Sequence, residues 1–277
     1  MTTKAAVLVN LTIGSFSNER TDAEVTQEVA KKYNANSNAG RYIRKRLPDE
    51  VLARIKTLQR EARKYSYQVA APWMNGGIRI MPAKFIPKCL AFYKTTQQQI
   101  QAEVAQLITE LPKIKAAAKK SRKGLYHESD FPTPEQLKEA FRIELEFIPV
   151  PLAEDFRIDF ISNKIKKDMT KKNSIRFDAQ TTYVKGQILE LLYRLQRNLV
   201  QEAPRIRSST IDQLAWFRDN MKELLLDQSK LKEIKEPLAR IDQVILQEFD
   251  EDARPKFNPL AIDEAVLTVE QTIKDLS

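Results

Sequence analysis

Residues 86–123 read IPKCLAFYKTTQQQIQAEVAQLITELPKIKAAAKKSRK, and this stretch sets the fold class. Ile100, Val104, Leu107, Ile108, Leu111 and Ile114 recur at steps of three and four, the period of a helix with one buried face. Running from about Ile86 or Lys88 to Lys123, such a helix would be about 54 Å long. Pro112 is expected to kink or end it, because proline removes a backbone donor and crowds the preceding turn. Beyond that proline the composition turns strongly basic.

Upstream, Pro48 fits the first turn of a second helix reaching about Tyr65. Val51, Leu52, Ile55, Leu58, Ala62 and Tyr65 form its inward face. Lys56, Arg60, Arg63 and Lys64 fall within an arc of about 100° on the opposite face. Further back, Thr21-Asp-Ala-Glu24 reads as a capping box with Thr21 as N-cap, opening a helix to about Tyr33 and then a polar loop to Gly40. Strands are read at Val7, Val9, Leu11 and Ile13, and at residues 78–81 inside a Pro/Gly-rich passage. Downstream, Thr133-Pro-Glu-Gln136 is a second capping box, followed by the strict alternation Phe141-Arg-Ile-Glu-Leu-Glu-Phe147. Phe156, Ile158 and Phe160 repeat that alternation briefly.

From about Asp178 the chain reads as helix throughout, with apolar stripes at Ile188–Leu199, Ile211–Leu225, Leu231–Ile245 and Ala265–Ile273, and Pro237 as a kink. The expected fold is therefore α+β and predominantly helical: a small antiparallel sheet from the first 160 residues with long helices, then a C-terminal helical bundle. Residues 1–160 form a basic α+β domain with a long helix, and residues 175–277 a bundle region, separate from the first or packed with it.

The formal charge of +9 is concentrated rather than spread. Residues 31–123 hold 21 Lys+Arg against 5 Asp+Glu, whereas the residues after them hold 23 against 28. Concentrated positive charge implies a polyanionic partner, and nucleic acid is the first expectation, DNA ahead of RNA. The expected contacts are Arg41, Arg44, Lys45, Arg46, Lys56, Arg60, Arg63, Lys64, Trp73, Arg79, Lys113, Lys115, Lys119, Lys120, Arg122 and Lys123. Tyr42, Tyr65, Tyr67, Phe85 and Tyr93, with Trp73, are interleaved among them, and exposed aromatics would stack on unpaired bases. The competing readings are a solvated basic face with its aromatics in the core, and a surface for an acidic protein. Trp73 in particular is more often a core or interface anchor than a ligand contact.

Cys89 and His127 are the only residues of their kinds, so a disulfide within the chain, a cysteine zinc site and a two-histidine metal site are excluded. Cys89 reads as a buried structural thiol and His127 as a loop residue. No phosphate-binding glycine loop, dinucleotide fingerprint or nucleophile elbow occurs. No catalytic residue, metal site or cofactor is expected. Glu144 and Glu146 on one strand face, with Asp155 and Asp159 farther on, leave a metal-dependent nuclease as the least favoured reading, against the wet face of a half-buried strand. Asp250, Glu251 and Asp252 read as a solvated loop. No apolar run is long enough for a membrane helix and the start lacks a signal-peptide pattern, so the expectation is no membrane partner and a reducing cytoplasm.

Val7-Leu-Val-Asn-Leu, Asp22-x-x-Val-Thr-x-Glu-Val29, Pro72-Trp73, Gly124-Leu-Tyr, Asp130-Phe-Pro-Thr-Pro-Glu and Phe147-x-Pro-Val-Pro151 resemble a family of unknown function from phages and mobile elements. Its members tend to be encoded near MoxR/CobS-like AAA+ ATPases and near replication or recombination genes. The resemblance covers roughly the first 155 residues and supplies no catalytic residues. It implies a DNA-processing accessory in a bacterial host, or an adaptor that docks a AAA+ ATPase or builds a homo-oligomer.

Overall fold

The computed structural model describes residues 5–36, 38–73, 77–150, 163–201, 207–248 and 259–277. In chain order its elements are β1 (Ala6–Ile13), β2 (Glu19–Asp22), α1 (Ala23–Lys32), β3 (Tyr42–Lys45), α2 (Asp49–Val69), β4 (Ala71–Pro72) and β5 (Arg79–Pro82). Then come α3 (Ile86–Arg122), α4 (Pro134–Ala140), β6 (Ile143–Pro149), α5 (Asn163–Leu199), α6 (Ser208–Leu224), α7 (Leu231–Glu248) and α8 (Pro259–Leu276). The fold is α+β and mostly helical, as expected. One sheet has the order β4-β5-β1-β6, and a two-stranded sheet pairs β2 with β3.

Packing divides the chain into two units, each built from separated segments. One comprises residues 1–10, 67–87 and 146–277; the other comprises residues 11–66 and 88–145. The boundary expected near residues 160–175 thus groups segments that fall in different units, because β1, β6, α2 and α3 each pass from one unit to the other. For brevity these are the bundle unit and the basic unit. The basic unit carries 22 Lys+Arg against 14 Asp+Glu, and the bundle unit 24 against 23, so nearly all the net charge sits on the former.

The basic unit is organised around α2 and α3. Leu52, Ile55 and Leu58 meet Ile100, Val104, Leu107 and Leu111, with Phe131, Leu137 and Phe141 closing the core. Tyr93 Oη donates to the Ala62 carbonyl at 3.1 Å, and Arg54 Nε lies 3.9 Å from Glu103 Oε1, so the two helices run antiparallel. Pro112 does not end α3. It is exposed, while Leu107, Leu111 and Ala118 on the other side are buried and carry the helix past the missing donor. The Thr133 box is present in full: Gln136 N donates to Thr133 Oγ1 at 3.2 Å, and Thr133 N donates to Gln136 Oε1 at 3.0 Å.

The Thr21 box is not. Thr21 lies in β2 opposite Ile43, and Asp22 is the N-cap of α1, its carboxylate accepting from Val25 N at 3.1 Å. The Asp22 carboxylate satisfies the helix donor from one residue later, which leaves Thr21 free to pair in the two-stranded sheet.

Tyr65 stacks on Phe92 at 4.1 Å and hydrogen-bonds Cys89. Burial pushes the Cys89 thiol up to about 11 from its ordinary 9.0, the Tyr65 bond pulling weakly the other way. Because the folded value lies above the unfolded one, this thiol's contribution to stability is full below about pH 9 and is lost as pH rises towards 11. At pH 8, alkylation of Cys89 in the native protein is expected to be slower than in denaturant by on the order of 100-fold, judged by the thiolate fraction alone. Comparable rates in the two states would contradict this burial.

In the bundle unit, Ala6–Val9 of β1 pair antiparallel with Arg79–Pro82 of β5, Leu8 opposite Ile80. Leu8 and Val9 are both buried, so β1 departs from the expected one-sided alternation; it lies between β5 and β6 and is covered on both faces. The expected stripes Ile188–Leu192–Leu195–Leu199, Leu214–Phe217–Met221 and Ile234–Leu238–Ile241 are buried, and α5 to α8 pack on one another as a four-helix set. Buried Gln180 donates to the Leu224 carbonyl at 2.9 Å and accepts from Leu226 N at 3.4 Å, satisfying the end of α6. Helix α5 starts at Asn163, some four turns before the Asp178 expected from sequence. The strand expected at residues 156–160 lies outside the described residues.

Candidate nucleic-acid interface

The two-stranded β2–β3 sheet places Arg20 directly opposite Arg44, an unfavourable pairing unless an acid answers it. Asp130 answers it, from a 3-10 turn more than 80 positions along the chain. Its side chain is 1% exposed; Arg20 Nη1 lies 3.4 Å from Oδ1 and Arg44 Nη1 lies 3.3 Å from Oδ2. Arg44 Nη2 also reaches Asp22 Oδ2 at 3.3 Å, and its Nη1 donates to the Leu125 carbonyl at 3.1 Å. Arg46 Nε donates to the Asp130 carbonyl at 2.6 Å while its guanidinium lies over Phe16. Burial and the nearby Arg20 lower its pKa from the ordinary arginine value. Arg122 donates to the Lys45 carbonyl and lies over Phe131. Lys115 Nζ pairs with Glu128 at 2.6 Å.

Arg44, Arg46 and Arg122 are therefore internal struts of the basic unit, not outward-facing phosphate contacts. Lys115 is half-buried and already paired. Two further expected contacts belong to the bundle unit and face inward. Trp73 is 4% exposed, packed edge-on to Phe177 at 5.5 Å with Arg176 over its face. Arg79 donates twice to the Ala70 carbonyl, at 2.9 and 2.6 Å, and once to Tyr183 Oη at 2.8 Å, between the rings of Tyr67 and Tyr183. Met74, Asn75 and Gly76, which follow Trp73, lie outside the described residues.

What stays on the surface of the basic unit is Arg41, Lys45, Lys56, Arg60, Arg63, Lys64, Lys113, Lys119, Lys120 and Lys123. Lys45 and Lys56 share Asp49, with Lys56 Nζ 3.6 Å from Oδ1. Asp49 raises the Lys45 pKa, and Lys45 holds the Asp49 carboxyl below its ordinary range. Both side chains are about half exposed, so the pair is screened and contributes little. Arg60, Arg63 and Lys64 have no ion-pair partner among the described residues; Arg60 donates only to Thr57 Oγ1 at 3.3 Å. The α2 stripe is thus assembled as the sequence pattern predicts: Leu52, Ile55, Leu58 and Ala62 are buried on one side, the four cations exposed on the other.

The antiparallel helices arrange these charges. The basic end of α3 meets the start of α2, where Arg122 reaches Lys45. From Asp49 to Lys64 along α2 is about 22 Å. The cations run along one helix and gather at its N-terminal end.

The expected stacking array is not assembled. Phe85 and Tyr93 are buried, Tyr65 is stacked inside the core, and Tyr67 is covered on one face by Arg79. Tyr42 remains 37% exposed, and Tyr33, which the sequence reading passed over, is 72% exposed beside it in an open cleft that Arg41 also lines.

Glu144 Oε1 lies 3.1 Å from Arg142 Nε on the wet face of β6, and no group of three or more His, Cys, Asp or Glu side chains among the described residues is placed to hold a metal ion. Asp155, Asp159, Asp250, Glu251 and Asp252 lie outside the described residues. No described helix is long and apolar enough to cross a membrane. Compared with known proteins, the chain matches no protein-family model, no curated protein and no solved structure.

Proposed function

We propose that the chain is a non-enzymatic accessory protein that binds nucleic acid through the phosphate backbone, using the outer face of α2 and the basic end of α3. The observation that carries this reading is the α2 face itself. Lys56, Arg60, Arg63 and Lys64 are all exposed, and three of the four lack an acidic partner among the described residues. A solvated helix face ordinarily mixes signs, because like charges three and four residues apart repel; a polyanion relieves that repulsion and releases counterions. With few aromatics left exposed, affinity rests on phosphates, so duplex DNA is bound at least as well as single strands of equal length.

The resemblance to mobile-element proteins supplies the proposed setting: DNA processing in a bacterial cytoplasm, alongside a AAA+ ATPase. The test is a fluorescence-anisotropy titration of labelled single- and double-stranded DNA across a range of salt. Binding at micromolar concentrations or tighter, with log affinity falling steeply against log salt, is the expected result. No binding at physiological salt, together with co-purification of the ATPase, would replace this reading with that of an adaptor.

A further inference from the structure

The first turns of α5 carry a second basic surface, in the bundle unit, that the charge tally along the chain conceals. Residues 163–177 contain six Lys or Arg and one acid, Asp168, inside a region whose overall balance is negative. No residue among Asn163–Ile175 whose side chain is described is buried.

Helical geometry sorts these side chains. At about 100° per residue, Lys164, Lys167, Lys171 and Lys172 occupy one arc of about 140°, and exposed Asp168 falls inside it. Met169, Asn173, Arg176 and Phe177, all half-buried, lie opposite, in line with fully buried Gln180 farther along. Arg176 is engaged inward, over Trp73 and towards Asn173 Oδ1 at 3.4 Å. The four lysines point the other way. All four are exposed, and none has an ion pair among the described residues.

We infer that this lysine face is a second contact for nucleic acid, namely the phosphate backbone of a duplex. The inference rests on the proposed function and extends it to a surface far along the sequence from α2. Charge complementarity selects the partner. Lys164, Lys167 and Lys171 form a single row with rises of about 4.5 and 6 Å, and a duplex presents one negative charge per about 1.7 Å of axis. The row also sets like charges at three- and four-residue spacings; Asp168 offsets part of that repulsion, and an anionic partner offsets the remainder. No aromatic side chain lies in this arc, so it lacks the stacking platform that single strands require.

The experiment compares the whole protein with a K164E/K167E/K171E/K172E variant and its milder K164Q/K167Q/K171Q/K172Q counterpart. The probe is a labelled 20-base-pair DNA duplex, titrated at several salt concentrations, with hydrogen exchange followed on both units. The expected result is at least a tenfold loss of duplex affinity for the Glu variant, a smaller loss for the Gln variant, and a salt slope shallower by about 3 to 4. Amides of residues 164–177 in the wild type exchange more slowly once duplex is added. Unchanged affinity and slope, with protection confined to α2 and α3, would overturn the α5 contact while leaving the proposed function intact. Binding of single strands but not the duplex would overturn the α5 contact and also the expectation that duplex is bound at least as well as single strands. Failure of the wild-type protein to bind any DNA at low salt would remove both readings.

Discussion

Replacing Asp130 by Ala is expected to destabilise the protein by about 3–5 kcal/mol, the usual consequence of deleting one member of a buried charge pair. The loss is large because Asp130 faces two guanidinium groups. Arg20 and Arg44 sit opposite each other across the two-stranded sheet, and Asp130 is 1% exposed between them. Without it, the Arg44 side chain, 10% exposed, keeps only Asp22 as an ionic partner. Alignment adds little to the attraction: Asp130 Oδ2 lies within ion-pair range of Arg44 but makes no well-directed hydrogen bond, and Arg44 Nε has no hydrogen-bond partner. Charge therefore matters more than shape. Asp130→Asn, which keeps the volume, should lose nearly as much as Asp130→Ala. At about 2–4 °C per kcal/mol for a chain of this size class, the melting temperature should fall by roughly 6–20 °C. A loss below about 1 kcal/mol in both variants would show that Arg20 and Arg44 do not depend on this carboxylate.

Trp73→Ala should cost about 3–5 kcal/mol, the range for truncating a large buried aromatic. Trp73 packs with Leu8, Ala71, Ile80 and Leu226, and its ring meets Phe177 edge-on beneath the Arg176 guanidinium. Removing it opens a cavity between β4 and α5 and strips both ring contacts, each worth about 0.5–1.5 kcal/mol beyond area. DNA affinity, measured well below the variant's melting temperature, should be unchanged. The opposite pattern, lost affinity with stability preserved, would restore the exposed-aromatic role expected from the sequence.

How much of this was legible depended on which physics wrote the pattern. α3, β6 and the Thr133 cap were readable because amphipathic period and capping chemistry are local, and α2 was readable down to which residues face out. The β2–β3 pair was not. Its strands are four residues each, Glu-Arg-Thr-Asp and Tyr-Ile-Arg-Lys, mostly exposed and without apolar alternation. The start of α5 was missed for a similar reason: Lys-Lys-Asp-Met-Thr-Lys-Lys has no stripe to count, and its helix is continuous with one that does. Residues α1 and β3 present to solvent, such as Tyr33, left no periodic mark either.

The site was half legible. A count of Lys and Arg locates charge but cannot say which guanidinium turns inward, because that depends on an acid distant in sequence. Arg44 and Arg46 are claimed by Asp130, Arg122 by the Lys45 carbonyl, and Arg79 by Ala70 and Tyr183. Lys56, Arg60, Arg63 and Lys64 were placed correctly because the apolar residues between them fix the rotation of their helix.

The central claim is that the outer face of α2 grips phosphates. It is tested most directly by measuring the salt dependence of DNA affinity for a K56E/R60E/R63E/K64E variant beside the wild type. The expected result is an affinity loss on the order of 100-fold or more at physiological salt, with a salt slope shallower by about 3 to 4 and an unchanged melting temperature. A variant that stays folded and binds DNA with wild-type affinity and slope would contradict it.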